Sequence, residues 1–191
     1  YVLYAMMLMM GIGGLMVTAQ VGSVAETLGI GKIVFTLALT INPIANGSGR
    51  IFWGWVSDHI GRERTMIIAF LLQALALVSV LRVGRNSPVG FIICLALIFF
   101  TWGEIYSIFP AALADFFGGR NASSNYSFLY SSKGVAAILA GGLAARLFEK
   151  TGSWTAVFYI SAGLAFLTAL MAAGLIAMPL PSKKNSAALE A

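Results

Sequence analysis

Gly54-Trp55-Val56-Ser57-Asp58-His59-Ile60-Gly61-Arg62-Glu63-Arg64 is a charged, glycine-punctuated stretch with an apolar run on either side. Upstream, residues 33–57 carry a single charge, Arg50; downstream, residues 65–81 carry none. A membrane-spanning helix needs about 20 predominantly apolar residues. The stretch therefore reads as a short loop that hands one membrane helix to the next.

Working outward, the same grammar repeats. Residues 1–25 form a first uncharged span, and residues 26–32 turn the chain with Gly29 and Gly31. After the spans at 33–57 and 65–81, residues 82–88 turn it again with Arg85, Asn86 and Pro88 as breakers. A fourth span covers 89–114 and contains Glu104; a fifth covers 122–145 and contains Lys133; a sixth covers 154–178. Pro43 and Pro110 predict kinks in the second and fourth. The sequence thus predicts an all-α membrane protein with a six-helix transmembrane unit over 1–181 and a polar tail over 182–191.

Composition agrees. Hydrophobic residues make up 59% of the 191 and charged residues 10%, well short of the roughly 25% charged that soluble domains carry. Cys94 is the single cysteine and His59 the single histidine, which excludes a disulfide framework and a Cys/His zinc site. We expect no metal and no cofactor. The net charge of +5 is scattered rather than gathered in a stripe, which argues against nucleic acid as a partner. An enzyme is not expected: at membrane depth no histidine or cysteine pairs with a nucleophile. The chain opens at Tyr1 inside an apolar run, which reads as a segment preceded by more protein.

Loop charge does not orient the bundle. Arg62, Arg64, Arg120, Lys183 and Lys184 fall on one side, and Lys32, Arg82, Arg85, Arg146 and Lys150 on the other. The rule that cytoplasmic loops are the more basic is balanced five against five.

Three residues stand at one depth. Arg50 precedes Asp58 by eight positions, Tyr106 precedes Asp115 by nine, and Lys133 follows Ser124 by nine. At 1.5 Å per residue all three lie about 12–14 Å into the bilayer. A charge at the bilayer centre costs roughly 2.5–3.5 kcal/mol even on insertion scales, so such residues face a cavity or a partner. Asn42, Asn46 and Arg50 share a helix face by steps of four, Trp102 and Tyr106 by a step of four, and Tyr126, Tyr130 and Lys133 by steps of four and three. Gly47, Gly49 and Gly134 flank the two cations and would permit close approach. The bland alternatives are that Arg50 snorkels to the interface, that Lys133 pairs with Glu104, and that Trp102 and Tyr106 are packing residues. Two cations with few acids in one layer suit a small organic anion of up to two charges.

The 54–64 stretch resembles the signature loop of the major facilitator superfamily, Gly-x-x-x-Asp-(Arg/Lys)-x-Gly-Arg-(Arg/Lys). His59 and Glu63 stand where that pattern has bases, a departure that fits the second copy of the loop. The resemblance implies the carboxyl-terminal half of a twelve-helix fold, both chain ends cytoplasmic, and a bacterial inner-membrane location. It also implies a gate in which Asp58 and Arg62 make and break contacts; the plainer reading of the loop is a solvated turn. The runs Trp102-Gly103-Glu104-Ile105-Tyr106 and Tyr130-Ser131-Ser132-Lys133-Gly134, with the helix around Arg50, are similar to the oxalate–formate exchangers of that superfamily. That similarity implies Arg50 and Lys133 as substrate-binding cations and Trp102 and Tyr106 as cavity lining. The partners it implies are oxalate, formate, the bilayer and a missing amino-terminal six-helix half. A proton-coupled monocarboxylate carrier of the same superfamily, with Glu104 as relay, is the rival.

Overall fold

The computed structural model describes residues 1–178, so the expected tail at 182–191 lies outside the described residues. Within them the chain is helical throughout. In order run α1 (Val2–Thr18), α2 (Val21–Thr27), α3 (Lys32–Ile60), α4 (Arg62–Ser79), α5 (Pro88–Trp102), α6 (Ile108–Phe117), α7 (Ala122–Thr151) and α8 (Thr155–Ala177). A π turn, Val80–Gly84, extends α4, and a 3-10 turn, Gly103–Tyr106, joins α5 to α6.

Local sequence explains most of the joints. Gly61 takes a φ of 93° between α3 and α4, a conformation that glycine alone adopts freely. This lets the charged loop turn in a single residue rather than the seven-residue stretch the charges suggested. Ser87 caps α5 by accepting from the Gly90 backbone N–H at 3.2 Å, with Pro88 in the first turn. Proline 110 shapes the fourth span differently from expectation. It sits in the first turn of α6, where it lacks an N–H to reach back to Tyr106, and the helix breaks before it, at Gly103–Tyr106. Pro43 lies within α3, which continues unbroken through it.

Two further boundaries differ. The first span is not one helix: α1 and α2 meet at 48° across residues 19–20. The fifth was expected to end at 145, but α7 runs on to Thr151, so Arg146, Glu149 and Lys150 are helical. Charges at the end of a long helix project past the apolar zone, and the helix ends where Gly152 supplies a φ of 63°.

Four helical stretches are long and apolar enough to cross a bilayer, and the bent α1–α2 pair makes a fifth. The sixth, α3, has the length at 29 residues but not the hydropathy, because Asn42, Asn46, Ser48 and Arg50 interrupt it.

The helices pack in the spatial order α3, α5, α4, α8, α1, α7, with α6 leaning back onto α7. The core divides along the bundle. Met6, Met7, Trp53, Phe70 and Phe109 fill the end carrying the 54–64 loop, and Val17, Leu77, Phe91 and Phe158 fill the opposite end. The outermost helices, α3 and α7, leave large apolar side chains bare: Ile33 and Ile138 are each 80% exposed and Ile51 78%. These flanks need another apolar surface, lipid or protein.

Candidate functional site

The site grows from the crossing of α3 and α5. Gly49 lies against the Phe100 carbonyl so closely that a Cβ would overlap it, and a Cβ at Gly103 would stand 2.6 Å from the Asn46 carbonyl oxygen. Paired small residues bring the two backbones together, as membrane helix interfaces favour. Of the glycines near the cations, Gly49 is therefore structural, whereas a Cβ at Gly47 or Gly134 would meet open space. Two side chains of α3 lock the crossing: Asn46 Nδ2 donates to the Phe99 carbonyl at 3.1 Å, and Trp53 Nε1 to the Phe100 carbonyl at 3.1 Å.

Held this way, Asn46 turns its Oδ1 toward Arg50 and accepts from Nε at 3.3 Å and from a terminal guanidinium nitrogen at 3.0 Å. The guanidinium carbon lies 4.2 Å from the centroid of the Tyr106 ring. From α7, Lys133 Nζ donates to Tyr106 Oη at 2.5 Å and to Tyr130 Oη at 3.4 Å, and stands 4.6 Å from the same ring centroid. The two charges are thus separated by no more than the sum of their distances to one phenol ring. Arg50, Tyr106 and Lys133, from three helices, come together.

Trp102 takes another place. It is buried, meets Tyr106 edge to face at 6.0 Å and 75°, and lies 5.9 Å from Lys133 Nζ. Its indole packs over Gly14 of α1, where any Cβ would overlap it. Trp102 backs the tyrosine rather than standing open beside the cations. The rings of Tyr126 and Tyr130 lie 5.6 Å apart and tilted by 50° along the α7 face.

Among the described residues, none of the partners is an acid. Arg50 and Lys133 are held by an amide, two phenols and ring faces, all neutral. Glu104 is no counter-ion to them: it is completely buried, and among the described residues neither carboxyl oxygen has a hydrogen-bond partner. The Lys133–Glu104 pair weighed from sequence does not form. Arg50, exposed though it is, folds onto the Tyr106 ring.

The loop end contrasts with this. Arg62 bonds Asp58 at 2.5 Å, the Ser57 hydroxyl at 2.6 Å and Asp115 of α6 at 3.0 Å, tying three helix ends together. Asp115 was missed in the sequence. It is 53 positions from Arg62, and its only signal is an acid closing the fourth span on the same side as the loop. Among the described residues, Arg64 joins neither ion pair.

Comparison with known proteins supports this architecture. The chain is 36% identical over 185 residues to the oxalate:formate antiporter of Oxalobacter formigenes, a match covering 96% of this chain and 44% of that protein. It is 30% identical over 139 residues to an uncharacterised transporter of Escherichia coli, YhjX, covering 72% of this chain and 34% of the relative. Apicoplast pyruvate carrier 2 of Toxoplasma gondii is 33% identical over 92 residues, 48% of this chain and 14% of the carrier. The chain spans less than half the length of these relatives. The sequence profile of the Major Facilitator Superfamily matches residues 1–191. The chain belongs to the major facilitator superfamily.

Proposed function

We propose that the chain is the carboxyl-terminal six-helix half of a transporter that exchanges external divalent oxalate for internal formate by alternating access. The observation that carries the proposal is the pair of cations around Tyr106, which among the described residues have only neutral partners. At an effective dielectric near 20, a cation and an anion 4 Å apart attract by roughly 4 kcal/mol. A short dianion reaching both side chains neutralises both. With the site empty, the two like charges oppose closure, which favours exchange over one-way passage. The 36% identity to the oxalate:formate antiporter supplies the particular anions. A dianion entering for a monoanion leaving makes the cycle electrogenic, with one net negative charge moving inward.

In this reading Arg50 and Lys133 bind the substrate carboxylates, Tyr106 spaces them, and Trp102 backs the tyrosine. The bare apolar flanks of α3 and α7 are where the amino-terminal half would pack, completing a cavity of which this chain forms one wall. Arg62 with Asp58 and Asp115 would latch the cytoplasmic end and release as the halves rock. Both chain ends would face the cytoplasm of a bacterium, across its inner membrane.

A second reading is a proton-coupled carrier of monocarboxylates, favoured by the unpartnered buried Glu104 and by the similarity to a pyruvate carrier. One experiment separates the two. The full-length transporter is reconstituted in vesicles loaded with formate, and uptake of labelled oxalate is followed. Exchange predicts uptake that needs internal formate and is insensitive to an imposed pH gradient. Uptake driven by the proton gradient into formate-free vesicles would support the carrier instead. This chain expressed alone should insert but show no exchange, with activity restored by co-expressing its partner half.

A further inference from the structure

At the end of the bundle opposite the 54–64 loop, a cavity of about 360 Å3 opens between α2, the π turn after α4, and the start of α8. Arg82 and Arg85 line it, with Ser153, Trp154, Thr155 and Tyr159 across from them. Both arginines are exposed, and among the described residues neither forms an ion pair, since both ion pairs belong to Arg62. The backbone carrying them is unusual: the Arg85 N–H reaches back five residues to the Val80 carbonyl at 3.1 Å. Such π turns gather at functional sites. Trp154 stacks on Phe148 at 4.4 Å, and among the described residues its buried indole N–H has no acceptor.

The surroundings say what kind of anion fits. Leu81 and Phe158 give the cavity an apolar floor, and Val83, Tyr159 and Ile160 carry exposed apolar surface outward along the turn and α8. A small free anion has no use for that surface, whereas a lipid presents a charged head joined to an apolar tail. Tryptophan and tyrosine also sit by preference at headgroup level. In the orientation proposed above this end faces away from the cytosol, where short loops have least topological reason to carry arginine. The pocket itself does not depend on that orientation.

We propose that this pocket binds the phosphodiester of an anionic phospholipid, with Arg82 and Arg85 on the phosphate oxygens and the acyl chains along the exposed face of α8. Arginine suits this role because its planar fork of donors matches phosphate oxygens two at a time.

The test uses the purified full-length transporter and native mass spectrometry with dioleoylphosphatidylglycerol, dioleoylphosphatidylcholine and inorganic phosphate as separate probes. The phosphatidylglycerol should be retained about twenty-five-fold more strongly than the phosphatidylcholine, given the pull of each arginine on anionic headgroups. The double variant Arg82→Gln/Arg85→Gln should lose that preference while keeping its thermal midpoint. If the double variant does not fold, Arg85→Gln alone decides, with an expected loss of about fivefold. A preference unchanged in the folded variant would overturn the proposal. So would inorganic phosphate binding as tightly as the phosphatidylglycerol, because the pocket would then be a free-anion site.

Discussion

Arg62 at the start of α4 and Arg50 within α3 are treated in opposite ways. Arg62 meets two carboxylates and a hydroxyl within 3.0 Å, and its charge is answered inside the chain. Arg50, deeper by about two helical turns, meets an amide and a ring face, and its companion Lys133 meets phenols. Two cations left without acids in an apolar layer are costly unless something else brings the negative charge. The loop end pairs its cation within the chain, whereas in the proposed function a substrate anion completes the central layer. That difference separates the proposed latch from the proposed binding site.

Removing one central cation should have the largest effect. In the full-length transporter, Lys133→Gln or Arg50→Gln is expected to lower oxalate exchange in vesicles by about a hundredfold or more, the scale of one cation–carboxylate contact at intermediate dielectric. Exchange at the native rate in either variant would put the two regions on the same footing.

Next comes Arg50→Lys, which keeps the charge but loses both the planar stack on Tyr106 and the paired bonds to Asn46. A loss of about tenfold in exchange is expected, with folding intact by thermal denaturation. Full activity would show that charge alone matters there.

Gly49→Ala tests the scaffold under the site. Its Cβ would meet backbone that has no room to move, so a destabilisation of about 1–3 kcal/mol is expected. A lowered thermal midpoint would register it. The same substitution at Gly47, where a Cβ meets open space within this chain, should not lower the midpoint.

The smallest effect is expected from Glu104→Gln. A fully buried carboxyl without a partner is most cheaply held neutral, and glutamine keeps its shape. Exchange should remain within about twofold of native, a free-energy change below 1 kcal/mol. A large loss would move Glu104 from the wall into the transport chemistry and favour the proton-coupled reading.

Much of this layout could be read in the sequence because helices have a fixed rise. Counting residues from the loop placed Arg50, Tyr106 and Lys133 in one layer, and steps of three and four placed Asn46 beside Arg50 and Tyr130 beside Lys133. What could not be read depends on contacts between distant segments or on backbone detail. The charges of Arg146 and Lys150 suggested a turn, yet hydrogen bonding carries α7 past them to Gly152. Pro110 marked a break in the right span but displaced it, since the disturbance falls on the residues before the ring. Nothing local announces the 48° bend at residues 19–20. Asp115 gains its role only from Arg62, on the other side of two helices.

The account rests on one dianion being shared by Arg50 and Lys133, and paired binding measurements test this most directly. Affinities for oxalate and for formate should be measured by calorimetry on the full-length transporter, native and Lys133→Gln. A dianion held by both cations loses one of its two ionic contacts, whereas a monoanion can keep the contact to Arg50. The expected result is a fall of about a hundredfold or more for oxalate and about tenfold or less for formate. Equal falls for both anions, or oxalate affinity unchanged, would contradict a shared dianion.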